Sequence, residues 1–373
     1  SVSFFFIPVF VMASLIEPLN EGVLPETVVA GTPLSAFLAS PALETIAETI
    51  EREYYDQTSP RKHYRAVVML KLLIIKCFRK LSYARTIQTL TEEDCTNFGL
   101  SLEDSLPHPA TLHHFVKYRL GVDGLNRVMA LVGTALAQVC DTERVGIIDS
   151  TPLEASRYDR NAPYNPHYQV RMDKAHIFHL GRYPLGMMYS SGTDADVTHL
   201  PALIATVAPM YPNLYGVQLD SAYDSFEAHA QIWYHLQAWP CIALREGAVV
   251  QKDGTEDRIR HWVNKLWKAG GDVHASLEEQ LRFLFNQGRA EQVGMFFRNK
   301  NILNPEFPTL MHGRGNCERV HNHIKTTVVF HLKGIRGESR ELYMLLNFIV
   351  YQLLLLVGCE AGVKNPSVLS ALI

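Results

Sequence analysis

Two short apolar runs, each closed by an aspartate, constrain this chain most. Val145-Gly-Ile-Ile leads into Asp149, and Leu214 to Leu219 leads into Asp220. Short apolar runs of this kind read as buried strands. Around them, Ala175 to Leu180, Pro184 to Ser190 and Pro240 to Leu244 read as further strands, and Ala195 to Met210 and Phe226 to Gln237 as helices. Strands in succession, then alternating with helices, predict an α/β domain with a mixed sheet. Side chains at the carboxyl ends of such strands face an open crevice. If the two strands are neighbours, two carboxylates stand side by side. Close carboxylates repel and raise each other's pKa, a penalty that a hard divalent cation with oxygen ligands removes. Taken alone, each aspartate has a plainer reading: Asp149 as a turn residue before Pro152, Asp220 as a cap for the helix near Phe226.

The residues before this region read as helical. Leu43 to Tyr55, His63 to Lys80, Tyr83 to Thr91 and Thr111 to Leu120 are the segments, with a break at Pro107 and Pro109. Val67, Leu70, Ile74 and Phe78 show the helical spacing in the second of them. Between Arg52 and Arg85, the bases Arg61, Lys62, Arg65, Lys71, Lys76, Arg79 and Lys80 face acids only at Glu53 and Asp56. Residues 41–122 therefore read as an all-helical domain whose basic face either binds DNA or is simply solvated. After the strands, Glu256 to Arg298 reads as helices broken at Gly270-Gly271, and Arg314 to Val329 and Arg340 to Val357 as long helices.

Composition narrows the function classes. The chain is 47% hydrophobic and 20% charged, with a net charge of -3, as in a soluble globular protein. A basic balance is absent from the whole, so any nucleic-acid contact rests on local patches. The six cysteines are scattered without a C-x-x-C pair, which reads as free thiols rather than disulfides or zinc. Phe4 to Ile16 lacks the basic lead of a signal peptide. Leu342 to Gly358 contains Asn347 and Gln352 and reads as a buried helix rather than a membrane span. The chain begins at Ser1 with a methionine at Met12, so residues 1–11, inside a poorly defined segment 1–40, read as an over-extended frame. Residues 359–373 read as a tail. H-E-x-x-H, G-x-S-x-G and a phosphate-cradling glycine loop are all missing, so neither a zinc hydrolase, a serine hydrolase nor a nucleotide cofactor is expected.

A third acid lies in Arg314-Gly-Asn-Cys-Glu318-Arg-Val-His-Asn-His-Ile-Lys325. On a helix, Arg314, Glu318, His321, Asn322 and Lys325 share one face, with Val320, Ile324 and Val328 on another. His321 and His323 point to different faces and do not jointly suit one metal. Arg314, Arg319, Lys325, Lys333, Arg336 and Arg340 outnumber Glu318 and Glu338 here, a local positive patch suited to phosphate.

In this order of acids the chain resembles the DDE transposases of bacterial and archaeal insertion sequences. Gly146-Ile-Ile-Asp149-Ser-Thr resembles the first-aspartate strand. Leu219-Asp220-Ser-Ala-Tyr223-Asp224-Ser resembles the second-aspartate segment. Arg314-x3-Glu318-x6-Lys325 matches the spacing of the Tyr-Arg-Glu-Lys signature of one branch, with Met311 where that branch has tyrosine. His108 to Gly121 and Gly192-Thr-Asp-Ala-Asp196 are weaker matches. The resemblance implies an RNase H-like catalytic domain over residues 140–358, a mixed sheet with flanking helices, carrying a helical insertion at 247–304 before the Glu-bearing helix. It implies Asp149, Asp220 and Glu318 as catalytic, metal-holding residues for Mg²⁺ or Mn²⁺, two ions with Asp149 shared between them. It implies Arg314, Lys325, Arg319, Lys333 and Arg336 on phosphate, and His321, Asn322, Tyr223, Asp224 and Asp196 as accessory residues. The implied partners are terminal inverted repeats, target DNA and a second copy of the chain, in a prokaryotic cytoplasm at the nucleoid, with no membrane. A DNA nuclease without strand transfer and an inactive DNA-binding derivative stand as alternatives.

Overall fold

The computed structural model describes residues 40–55, 64–97, 106–139, 144–155, 159–210, 214–266, 275–328 and 338–360. Residues 1–39, Gly270-Gly271, Lys333, Arg336 and residues 361–373 lie outside the described residues, while Cys359 and Glu360, expected in the tail, belong to the last helix.

Helices come first: α1 (Pro41–Tyr54), α2 (Ala66–Phe78), α3 (Tyr83–Gln88), α4 (Glu92–Asn97), α5 (Pro109–His114) and α6 (Gly121–Val139). Helix α1 starts where its sequence directs: Ser40 accepts from the Leu43 amide and Pro41 stands in the first turn. Helix α2 is apolar all round and therefore sits inside. Its Lys71 and Lys76 are buried too, and the Lys76 ammonium lies 4.7 Å from the centre of the Tyr83 ring. Arg65 pairs with Glu44 at 3.2 Å and Arg79 with Asp94 at 3.3 Å. The basic face expected of this region is thus largely turned inward or paired among the described residues. The helical reading that ended at Leu120 also fell short, since α6 continues to Val139.

The sheet follows, with β1 (Val145–Glu154), β2 (Tyr164–Asn165), β3 (Val170–Leu180), β4 (Tyr183–Ser191), β5 (Gly216–Leu219) and β6 (Trp239–Ile242). Strands β1, β3 and β4 form an antiparallel meander. Strand β5 then pairs with β1 in parallel and β6 with β5 in parallel. Helix α7 (Asp196–Val207) links β4 to β5, and α8 (Phe226–Leu236) links β5 to β6, as parallel crossovers require. This is the expected RNase H-like mixed sheet with flanking helices.

Helices α9 (Glu256–Leu266), α10 (Leu277–Asn286) and α11 (Ala290–Leu303) follow, then the short α12 (Phe307–Leu310), α13 (Asn316–Thr327) and α14 (Glu338–Glu360). Helices α9 to α11 share a small core of their own with α8, built on Ile259, Val263, Leu284, Val293 and Phe297. Gly294 lets α11 approach α8 so closely that a Cβ there would stand 1.7 Å from the Phe226 carbonyl oxygen. Two helical stretches, Pro109–Gln138 and Ser339–Glu360, are long and apolar enough to cross a membrane. The second is packed inside the protein, its Gln352 amide donating to the carbonyls of Pro184 and Leu185 at 3.0 and 2.8 Å. One continuous apolar core runs from Leu43 through the sheet to Val357, so the N-terminal helices and the sheet are packed on each other.

Candidate active site

Strands β1 and β5 pair from Val145↔Gly216 to Ile147↔Gln218. Counting two residues on along each strand brings Asp149 level with Asp220. The neighbouring-strand condition is therefore met. Asp149 does not end its strand, however. Strand β1 runs on to Glu154 because β3 pairs with it throughout, with Asp149 opposite Ile177. What ends near Asp149 is the parallel partner, and the crevice opens there. Asp220 does leave the sheet. Its Oδ1 accepts from the Ala222 amide at 2.9 Å and caps the turn Ser221–Tyr223. Helix α8 is capped instead by Ser225, whose hydroxyl accepts from the Ala228 amide.

The turn before α13 closes this crevice. Arg314, in the 3₁₀ turn His312–Gly315, places Nη1 3.8 Å from Asp220 Oδ2 and 4.0 Å from Asp149 Oδ1. The Cys317 thiol donates to Asp149 Oδ2 at 3.0 Å. Burial pushes the Asp149 carboxyl above its usual range and the nearby Asp220 adds to that, while the bond from Cys317 and the charge of Arg314 pull it back. Burial and the same aspartate push the Cys317 thiol up, so it remains protonated as a donor. Sequence reading took Cys317 for one free thiol among several. The available signal was its place three residues after Arg314 at the start of a helix, which puts both on one side.

Glu318 follows directly but is exposed. It stands one residue from Cys317, and the structure does not gather it with the two aspartates: among the described residues no group of three or more His, Cys, Asp or Glu side chains is close enough to hold a metal ion. The donor chemistry of the pair nevertheless fits a hard dication, being carboxylate oxygen throughout. The Arg314 guanidinium stands in for one, a positive charge facing both carboxylates at once.

The expected single stripe on α13 is divided. Glu318, Arg319 and Asn322 are exposed, and Lys325 is partly buried, its ammonium lowered by burial. His321 turns inward with Cys317, Val320 and Ile324, against expectation. Its Nε2 lies 2.9 Å from Nε2 of His179 on β3. Burial pushes His321 down to about 4 and His179 well below its ordinary value, so both imidazoles are neutral and one donates to the other. A neutral imidazole bonded to another ring joins α13 to the sheet and has no part in the crevice.

The other accessory residues support the site from behind. Tyr223 is buried, with its hydroxyl 3.2 Å from Nδ1 of His176, whose Nε2 lies 2.8 Å from the Ser190 hydroxyl. Asp196 accepts from Ser150, the neighbour of Asp149, at 3.0 Å, and from Lys174 at 2.8 Å. Asp224 departs from expectation. It is buried, and both its oxygens are held by Arg298 of α11 at 2.8 and 2.9 Å. Burial pushes its carboxyl up, but the bonds from Arg298 and from the Arg245 amide outweigh this and hold it below its usual range. Asp224 ties the turn after Asp220 to α11, and sequence alone gave no reason to pair it with a residue so far along the chain.

An antiparallel meander extended by two parallel strands, with aspartates where its central parallel pair opens, defines an RNase H-like domain. Residues 141–353 match the family model for the transposase DDE domain, and the chain belongs to that family. Comparison with curated proteins and with solved structures finds no match.

Proposed function

We propose that this chain is a DNA transposase that cuts and joins the ends of an insertion-sequence element by metal-dependent phosphoryl transfer. The observation that supports the reading is that Asp149 on β1 and Asp220, one residue past the end of its parallel partner β5, both face Arg314. Asp149 and Asp220 would hold the cations, with Glu318 completing the set from α13. When bound, Mg²⁺ or Mn²⁺ supplies activation of water or a DNA 3′-hydroxyl and neutralises charge on the phosphate.

The chain's own residues do the rest. The bond from Cys317 fixes the Asp149 carboxylate, and the turn cap fixes that of Asp220, so neither has to be ordered at the moment of reaction. Arg314 supplies a forked donor suited to phosphate oxygens. Arg319 and Lys325 would extend the positive surface along the DNA, and Lys333 and Arg336, outside the described residues, are counted with them on the resemblance alone. Terminal repeats, target DNA and a second copy of the chain are the partners in this reading, which places the protein in the cytoplasm.

The test is cleavage of an element-end duplex with Mg²⁺ or Mn²⁺, with strand transfer scored separately so that joining is distinguished from hydrolysis. Asp149→Ala, Asp220→Ala and Glu318→Gln should each abolish cleavage in folded protein. Near wild-type cleavage by all three variants would end the proposal.

A further inference from the structure

We infer that Arg314 is the resident counter-cation of the aspartate pair in the metal-free protein, and that divalent metal displaces it, so its guanidinium is released toward phosphate only once the site is loaded. This rests on the phosphoryl-transfer reading of the same site and adds a regulatory step to it.

Asp149 gives Oδ2 to the Cys317 thiol, and Asp220 gives Oδ1 to the Ala222 amide. The remaining oxygen of each, Oδ1 of Asp149 and Oδ2 of Asp220, is the one Arg314 faces. A cation taking the pair would need those same two oxygens. Arginine and metal therefore compete for one position.

Arg314 is held loosely. Elsewhere the chain builds tight arginine–carboxylate pairs. Arg298 holds Asp224 through two bonds of 2.8 and 2.9 Å, and Arg340 lies 3.0 Å from both Asp159 and Asp173, with these side chains almost wholly buried. Arg314 stands 3.8 and 4.0 Å away with its side chain 37% exposed. A guanidinium carries five N–H donors in a fixed fork, yet this one reaches neither aspartate at hydrogen-bond distance. It offers charge without a locked geometry, as a displaceable counter-ion should.

Arg314 lies in the 3₁₀ turn that leads into α13, three residues before Cys317. The guanidinium can thus swing out while Cys317 keeps α13 attached to Asp149. Metal loading and phosphate capture become sequential uses of one side chain, and a DNA phosphate meets a free Arg314 only in a site ready to react.

The test is Mn²⁺ binding to the full-length, DNA-free protein, followed by calorimetry and by the metal-induced rise in melting temperature. Removing a unit charge about 4 Å from both carboxylates in a half-exposed site should tighten cation binding about tenfold. Arg314→Gln should therefore bind Mn²⁺ more tightly than wild type, melt lower without metal and gain more on loading. Asp149→Asn combined with Arg314→Gln should lose that gain. Should the glutamine variant fail to fold, Arg314→Met, which removes the same charge but keeps a long flexible side chain, should tighten binding likewise.

Unchanged or weaker Mn²⁺ binding in folded Arg314→Gln, with Asp149→Asn still weakening it, would overturn the inference and leave the catalytic reading standing. Absence of Mn²⁺ binding by the wild-type protein would overturn both.

Discussion

Acidification from about pH 7.5 to about pH 5 will destabilise this fold through its buried imidazoles. Burial holds His176, His229 and His321 at about 4, and His179 well below its ordinary value. In the unfolded chain each titrates near about 6.5. The folded-state values are depressed, so the unfolded state takes protons first. The stability these groups contribute is whole above about pH 6.5 and drains away as pH falls toward about 4. At about pH 5 each unfolded imidazole is nearly fully protonated while its folded counterpart is mostly neutral. A difference of about 1.5 pH units at 1.36 kcal/mol per unit is about 2 kcal/mol for each of the three imidazoles held at about 4, and His179 adds in the same sense. Asp149 and Asp173 have raised carboxyls and act in the opposite sense, so they offset part of the roughly 6 kcal/mol that those three imidazoles lose together. Domains are commonly stable by about 5–15 kcal/mol, so this loss is a large share of the whole. Urea unfolding followed by tryptophan fluorescence, in chelator at stepped pH, measures it. His321→Gln removes one titrating group and should reduce the loss by about 2 kcal/mol. Stability that stays level or rises between pH 7 and 5 would refute the reasoning.

Two further outcomes follow from the packing. Asp224→Asn leaves the Arg298 guanidinium without its charge partner in a buried position and should cost about 3–5 kcal/mol in urea unfolding; a loss under about 1 kcal/mol would mean that the pair does not anchor α11. Gly294→Ala places a methyl against the Phe226 carbonyl, so α8 and α11 must part. A cost of about 1–3 kcal/mol in thermal unfolding is expected, and an unchanged melting temperature would contradict the close approach.

Local features were legible before folding was considered. The apolar runs before Asp149 and Asp220 became β1 and β5, because strand formation in a buried sheet follows from continuous apolar residues. Helices α1, α8 and α14 fell close to the expected residues, because helical spacing and Ser or Pro caps are written within a few positions. The sequence was silent on anything set by a distant partner. Strand β1 outran its reading because β3 continues to pair beyond the Asp-Ser-Thr-Pro that looked like a turn. The basic residues of α2 read as an outer face, yet Lys71 and Lys76 are buried, since several helices pack around α2 at once.

The candidate site divides along the same line. The amino-acid sequence by itself determined which acids could serve, Asp149, Asp220 and Glu318, and that Arg314 would stand just ahead of a helix carrying Glu318, because periodicity over a few residues fixes direction. Only the tertiary structure decided that the two aspartates are level neighbours, that Cys317 and Arg314 attend them, that His321 turns away to His179 and that Asp224 belongs to Arg298. Each of these joins residues many tens of positions apart. Their partners are selected by the burial of a whole core and the satisfaction of its polar groups, and no local pattern encodes that.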